Sequence, residues 1–127
     1  MTVKRTERGW IGHYILGDRC LFRRNTLIEK DDIKIVISTV GLSVDIHAKG
    51  YPNKITFQLV SPNAYFETKA FHAKANDLRY NDIDVERPIY FASPCYVQEL
   101  NADDIANSRH EEVVFELIKK LEKGEKL

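Results

Sequence analysis

The segment that most limits what this chain can fold into is Ile33-Lys34-Ile35-Val36-Ile37-Ser38-Thr39-Val40. β-Branched aliphatics lose side-chain freedom in a helix and pack well on a pleated surface, so a short run rich in them reads as a strand. Its near-continuous apolarity asks for cover on both faces, which places it inside a sheet rather than at an edge.

The flanking sequence supplies neighbours for that strand. Lys30-Asp31-Asp32 is turn chemistry between Leu27-Ile28 and the run itself, and Gly17-Asp18 separates Trp10 to Leu16 from Cys20 to Phe22 as a candidate hairpin. Further along, Ile55-Thr56-Phe57-Gln58-Leu59 alternates as a strand with one wet face, and Phe66, Thr68, Ala70 and His72 form a period-two set within Tyr65 to Lys74. Asn76 to Pro88 is acidic and turn-rich, and Ile89-Tyr90-Phe91 reads as a last short strand before Pro94.

Beyond Pro94 the period changes. Val113, Leu117 and Leu121 recur at every fourth residue beside Val114 and Ile118, which makes one apolar stripe of a helix that must lie on the sheet. Asn101 with Asp103 and Asp104 offers one N-terminal cap, and Ser108-Arg109-His110-Glu111 offers a capping box further on; Gly124 stops the helix after Lys119, Lys120 and Lys123. The expectation is an α+β fold, mainly an antiparallel β-sheet packed by a C-terminal α-helix. It occupies a single domain over 1–127, β-rich over 10–97 and helical over 102–123. A chain of 127 residues buries roughly two thirds of the surface its unfolded form exposes, enough for one core. No run of apolar residues is long enough to span a bilayer and Met1 to Trp10 lacks a signal-peptide centre, so the expected location is cytoplasmic, with Cys20 and Cys95 as separate reduced thiols.

Charge is unevenly distributed. Lys4, Arg5, Arg8, Arg19, Arg23 and Arg24 stand against Glu7 and Asp18 in the first 26 residues, a local balance of +4 in a chain of formal net charge +0. Zero net charge argues against a general nucleic-acid binder, while the local excess suits an anion or an acidic partner. Arginine grips phosphate or carboxylate with a two-pronged fork, and an aromatic ring beside it adds stacking, so Trp10, Arg19, Arg23, Arg24 and Asn25 are the candidate ligand- or partner-binding residues. The competing reading pairs these arginines with Asp82, Asp84, Glu86 or Glu99 of the same chain.

Catalytic signals are sparse. His13 and His72 are candidates for a general acid and base, with Arg23 or Arg24 as the clamp on a phosphoryl group. Cys20 would be a nucleophile only with His13 beside it, and packing as a small hydrophobe is the commoner fate of cysteine. No pair of ligands has the spacing of a metal site, and Gly9 and Gly12 precede no helix, so neither a metal nor a nucleotide cofactor is expected.

The strings Gly9-Trp10-Ile11-Gly12-His13, Arg19-Cys20-Leu21-Phe22-Arg23-Arg24-Asn25-Thr26-Leu27, Ser38-Thr39-Val40-Gly41 and Phe66-Glu67-Thr68-Lys69-Ala70-Phe71-His72-Ala73 resemble segments of small uncharacterised phage- and plasmid-associated proteins. That resemblance carries no activity; it implies an accessory protein of a mobile element that acts by binding, including as an inhibitor of a host anti-phage defence factor. The expected function is therefore a non-enzymatic binding protein with a basic N-terminal surface, taking a host protein or a phosphorylated ligand as partner. Meeting of the basic and acidic patches across a two-fold axis would make a homodimer. The alternative is a small nucleotide- or phosphodiester-processing enzyme using the two histidines and an arginine.

Overall fold

A computed structural model of the chain describes residues 2–8, 19–60, 65–76, 80–89 and 103–127. Among these residues are six strands and one helix: β1 (Lys4–Arg8), β2 (Cys20–Lys30), β3 (Ile33–Val44), β4 (Phe57–Gln58), β5 (Phe66–Ala73), β6 (Ile83–Ile89) and α1 (Asp103–Glu122). The strands form one sheet in the order β1-β2-β3-β5-β6, with β4 pairing the far end of β3, and every pairing is antiparallel. The α+β class read from the sequence is the class observed.

β3 is the central strand: it pairs β2 along one side and β5 and β4 along the other, and Ile35 to Gly41 are buried without interruption. The β2–β3 connection is the two-residue turn Asp31-Asp32, with Asp31 at φ 54° and Lys30 paired to Ile33. Aspartate tolerates that left-handed conformation by bonding its own backbone.

One face of the sheet receives α1. Ile28, Ile35, Ile37 and Ala70 from the strands pack against Val113, Val114, Leu117 and Leu121 of the helix, each buried aliphatic contributing about 1.5–3 kcal/mol relative to exposure. The helix begins at Asp103 and runs through Ser108, so the acidic first turn, not the later capping box, marks its start. Gly124, at φ 76°, closes it with bonds from its own N–H to Leu121 O (3.0 Å) and from Glu125 N–H to Lys120 O (3.0 Å), the paired bonds of a Schellman end. At the other end of this face Phe22 and Phe66 meet edge to face, 5.3 Å between centroids, over Gly41, the cross-strand partner of both. A Cβ on Gly41 would fall 2.2 Å from the Phe66 ring, so only glycine lets the two phenyls close there.

The opposite face carries a second cluster of Leu27, Val36, Phe71, Ala73 and Ile83. Arg8 helps hold cover over it: its guanidinium bonds the carbonyls of Tyr80 and Asn81, just ahead of β6, and the Oδ1 of Asn25.

Several strand boundaries differ from the sequence reading, β3 itself running on past Val40 through Gly41 to Val44. β1 is a strand ahead of residue 10; Lys4–Arg8 contains no apolar residue to mark it in the sequence, and its strand character comes from pairing with β2. β6 begins at Ile83 inside the acidic stretch; at the sheet edge Pro88 forfeits no ladder bond that the fold needs. The alternating segment 55–59 pairs only over Phe57–Gln58, leaving Ile55 and Leu59 exposed. The candidate hairpin around Gly17-Asp18 and the strand residues Tyr90 and Phe91 lie outside the described residues. Among the described residues no helix is long and apolar enough to cross a membrane.

Candidate functional site

Strand alternation sorts the N-terminal cations onto different surfaces. In β1, Arg5 and Glu7 pair with Ile28 and Thr26, and these share the α1 face with Arg24. Arg24 consequently lies between two carboxylates: its Nε donates to Glu7 Oε1 (2.9 Å) and its Nη2 to Glu111 Oε1 (2.8 Å), with Asn107 Oδ1 at 3.5 Å from Nη1. Arg5 takes Glu111 with both prongs, at 2.7 and 2.8 Å. Arg24 and Arg5 together clamp the first half of α1 to β1 and β2, and Lys30 Nζ donates to Leu121 O (2.6 Å) at the other end of the helix. Hydrogen bonding from Arg5, opposed by burial and reinforced by Arg24, holds the Glu111 carboxyl down at about 2. For Glu7, burial works upward but hydrogen bonds from Thr26 and Arg24 prevail, and its pKa is lowered.

Beside this ion cluster lies a chain of hydrogen bonds centred on His110, which is 0% exposed. Thr26 Oγ1 donates to Glu7 Oε2 (2.7 Å), since a carboxylate only accepts. Its single proton is then used, so toward His110 it accepts, and the His110 Nε2–H is the donor (2.7 Å). The neutral ring's Nδ1 must accept from the Thr39 hydroxyl (2.7 Å), and Thr39 Oγ1 in turn accepts from Thr68 (2.7 Å). One direction thus runs through the whole row: Thr68 to Thr39 to His110 to Thr26 to Glu7. Burial, joined by the nearby Arg24 charge, pushes the His110 pKa down to about 4, which keeps the ring neutral. A fully enclosed imidazole with both nitrogens engaged has no path to a substrate; its work is to dock α1 on β2 and β3.

Among the described residues, those singled out from sequence do not form one site. Trp10 and His13 lie outside the described residues, as does Cys95. Arg24 is held by Glu7 and Glu111, so for this arginine intramolecular pairing does occur, with two carboxylates the sequence reading did not name; Asp84 pairs with Arg87, and Glu99 lies outside the described residues. Asn25 is buried on the opposite face and fixed through its Oδ1 by Arg8 at 2.8 Å, while its Nδ2 has no partner among the described residues. His72 donates from Nε2 to Leu127 O (3.0 Å) and sits in register with Ile35 and Ile28, roughly 13 Å along the sheet from Arg24. His72 and Arg24 therefore do not share a reaction centre, and Arg23 belongs to the other face of β2. Cys20 is buried and packs with Val40 and Val60, as a small hydrophobe would.

Two of the basic residues, Arg19 and Arg23, meet near the start of β2. Arg19 and Arg23 line a groove of about 320 Å³ with Leu21, Ile46, Tyr51 and Ile55. Leu21, Ile55 and Tyr51 are 62%, 47% and 40% exposed, a concentration of apolar surface beside two guanidinium groups. Among the described residues, no group of His, Cys, Asp and Glu is arranged to hold a metal ion. The fold and its surfaces define an α+β sheet-and-helix protein with a basic, apolar-lined groove at one end. No family model, no curated protein and no solved structure matches the chain.

Proposed function

We propose that this is a non-enzymatic binding protein and that the groove at the β2 N-terminus is its contact surface. The observation that carries the reading is the pairing, in one concave surface, of Arg19 and Arg23 with exposed Leu21, Tyr51 and Ile55. Arginine and tyrosine contribute disproportionately to protein interfaces, and clustered exposed apolar side chains mark contact surfaces. The occupant that complements this groove is a protein segment that interleaves carboxylates with aliphatic or aromatic side chains. A host defence factor as the source of that segment rests on the resemblance to phage- and plasmid-associated proteins.

The test is an amide-shift titration of the full chain with a peptide of alternating glutamate and leucine. Shifts centred on Leu21, Tyr51 and Ile55, abolished by joint Arg19→Glu and Arg23→Glu substitution, are expected. Equal binding of a lysine-for-glutamate peptide, or shifts confined to other surfaces, would overturn the reading.

A further inference from the structure

At the far end of the β2–β3 pair, some ten residues down the strands from that groove, lies a separate cavity of about 590 Å³, within the usual size range for a small-molecule site. The geometry points to a binding site for a small phosphate ester bearing free hydroxyls, such as a pentose phosphate or a nucleoside monophosphate.

The wall is divided into donors and acceptors. Lys34 and Lys74 line it, one on β3 and one just after β5, and among the described residues neither has an ion-pair partner. Arg87 adds a third cation, held in place by Asp84 (2.9 Å) and by the carbonyl of Ala73 (2.5 Å). His72 forms part of the same wall, its ring anchored by the bond to Leu127 O. These groups suit a phosphate: the two ammonium groups supply point charges and the guanidinium a fixed fork of donors.

A bare phosphate would leave the rest of the wall unmatched. Asp31 and Asp32, exposed at the turn, can only accept hydrogen bonds. Asn81 also lines the cavity, at φ 49°, and its Oδ1 is buried with no hydrogen-bond partner among the described residues. A buried acceptor left unmatched is costly and rare in folded proteins, and where one persists beside a cavity an added donor is the simplest remedy. A ligand that supplies both halves has an anionic group for Lys34 and Lys74 and hydroxyl donors for Asn81, Asp31 and Asp32. An apolar ligand fits neither half, and a peptide carboxylate supplies the anion without the hydroxyls.

Isothermal titration of the full chain with ribose 5-phosphate, inorganic phosphate and ribose separates the halves. The ester is expected to bind with a dissociation constant below about 1 mM, at least about tenfold tighter than phosphate or ribose alone. Lys74→Ala and Lys34→Ala should each weaken it at least about fivefold without altering the thermal midpoint, because both act at the cavity wall. Asn81→Gly, which tolerates the same backbone conformation, should remove the ester's advantage over phosphate while leaving phosphate binding unchanged. Absence of heat and of amide shifts at Lys34, His72 and Lys74 at about 10 mM ester, equal affinity for ester and phosphate, or lysine variants that bind like the parent would each overturn the assignment. The acidic-peptide groove lies at the other end of the sheet, so either reading can fail without the other.

Discussion

Arg23 and Arg24 are adjacent in sequence and belong to different surfaces. Arg24 points to α1, where Glu7 and Glu111 hold it and its side chain is 18% exposed; Arg23 points the other way and joins Arg19 in an open groove. The same positive charge is a structural clamp in one place and part of a contact surface one residue earlier. A count of basic residues cannot make that distinction, because it follows from strand alternation and from which face receives the helix. Substitutions that test the contrast should therefore act on stability at the α1 face and on recognition at the groove.

The largest effect is expected at the centre of the clamped side. His110→Ala removes a fully buried ring and leaves the hydroxyls of Thr26 and Thr39 without their shared partner. Lost packing and unmatched polar groups together should cost about 3–5 kcal/mol in urea unfolding. If the cost were below about 1 kcal/mol, the histidine row would not be what docks the helix.

Acid should strike the same place next. Folding keeps His110 neutral down to about pH 4, whereas in the unfolded chain it binds a proton near its ordinary 6.5. Between those values the unfolded state holds the extra proton, so stability falls as pH drops from 6.5 to 4, by roughly 3 kcal/mol in all, and this group contributes no further loss below that window. Glu111 acts later and more weakly: its contribution is complete above 4.5 and is lost as pH falls toward about 2. With its side chain 46% exposed, solvent screening keeps that second loss to about 1 kcal/mol or less. Chemical denaturation measured across pH 3 to 7 should show most of the decline above about pH 4; a decline confined below that would contradict a neutral His110.

Arg24→Met sharpens the comparison further, since it keeps the stem and removes the charge. The loss of charge-assisted bonds to Glu7 and Glu111 should cost about 2 kcal/mol. The Arg24 charge also holds the His110 pKa down, so the variant should show His110 titrating at higher pH by proton NMR, with a smaller loss of stability on acidification. Unchanged titration of His110 would mean that burial alone sets its state.

Much of this fold is written in local patterns, and little of the site is. The β-branched run of β3, the Asp31-Asp32 turn and the fourfold stripe of α1 each declare themselves within a dozen residues. β1 escapes because its strand character depends on pairing with β2; Lys-Arg-Thr-Glu-Arg reads equally as a charged arm. The one local hint was alternation, with Arg5 and Glu7 two apart and therefore on one face. The His110 row is invisible for a different reason: its partners are 84 and 71 residues away, and a histidine within an apolar stripe looks like any other helix position. The stripe read at Val113, Val114, Leu117 and Leu121 extends one turn back to His110, which the sequence reading had placed in a capping box, and a polar residue within a buried stripe signals a partner on the facing sheet. That Thr39 stands opposite Thr68, with Thr26 diagonal to it on the same face, is known only once register is known.

The smallest expected effect on stability is also the most discriminating for function. Arg19 lies at the start of β2, lines the groove and has no ion-pair partner among the described residues. Arg19→Glu should change unfolding free energy by about 0.5 kcal/mol or less, as surface substitutions away from structural contacts do. Its effect on the alternating glutamate-leucine peptide should be about tenfold, because a favourable charge contact becomes a repulsive one at the rim of an apolar surface. Arg24→Met should show the reverse pattern, unfolding more readily while binding that peptide as the parent does. If both substitutions weakened the peptide equally, the two arginines would act on one surface, and the division of β2 into a clamped face and a recognising face would be wrong.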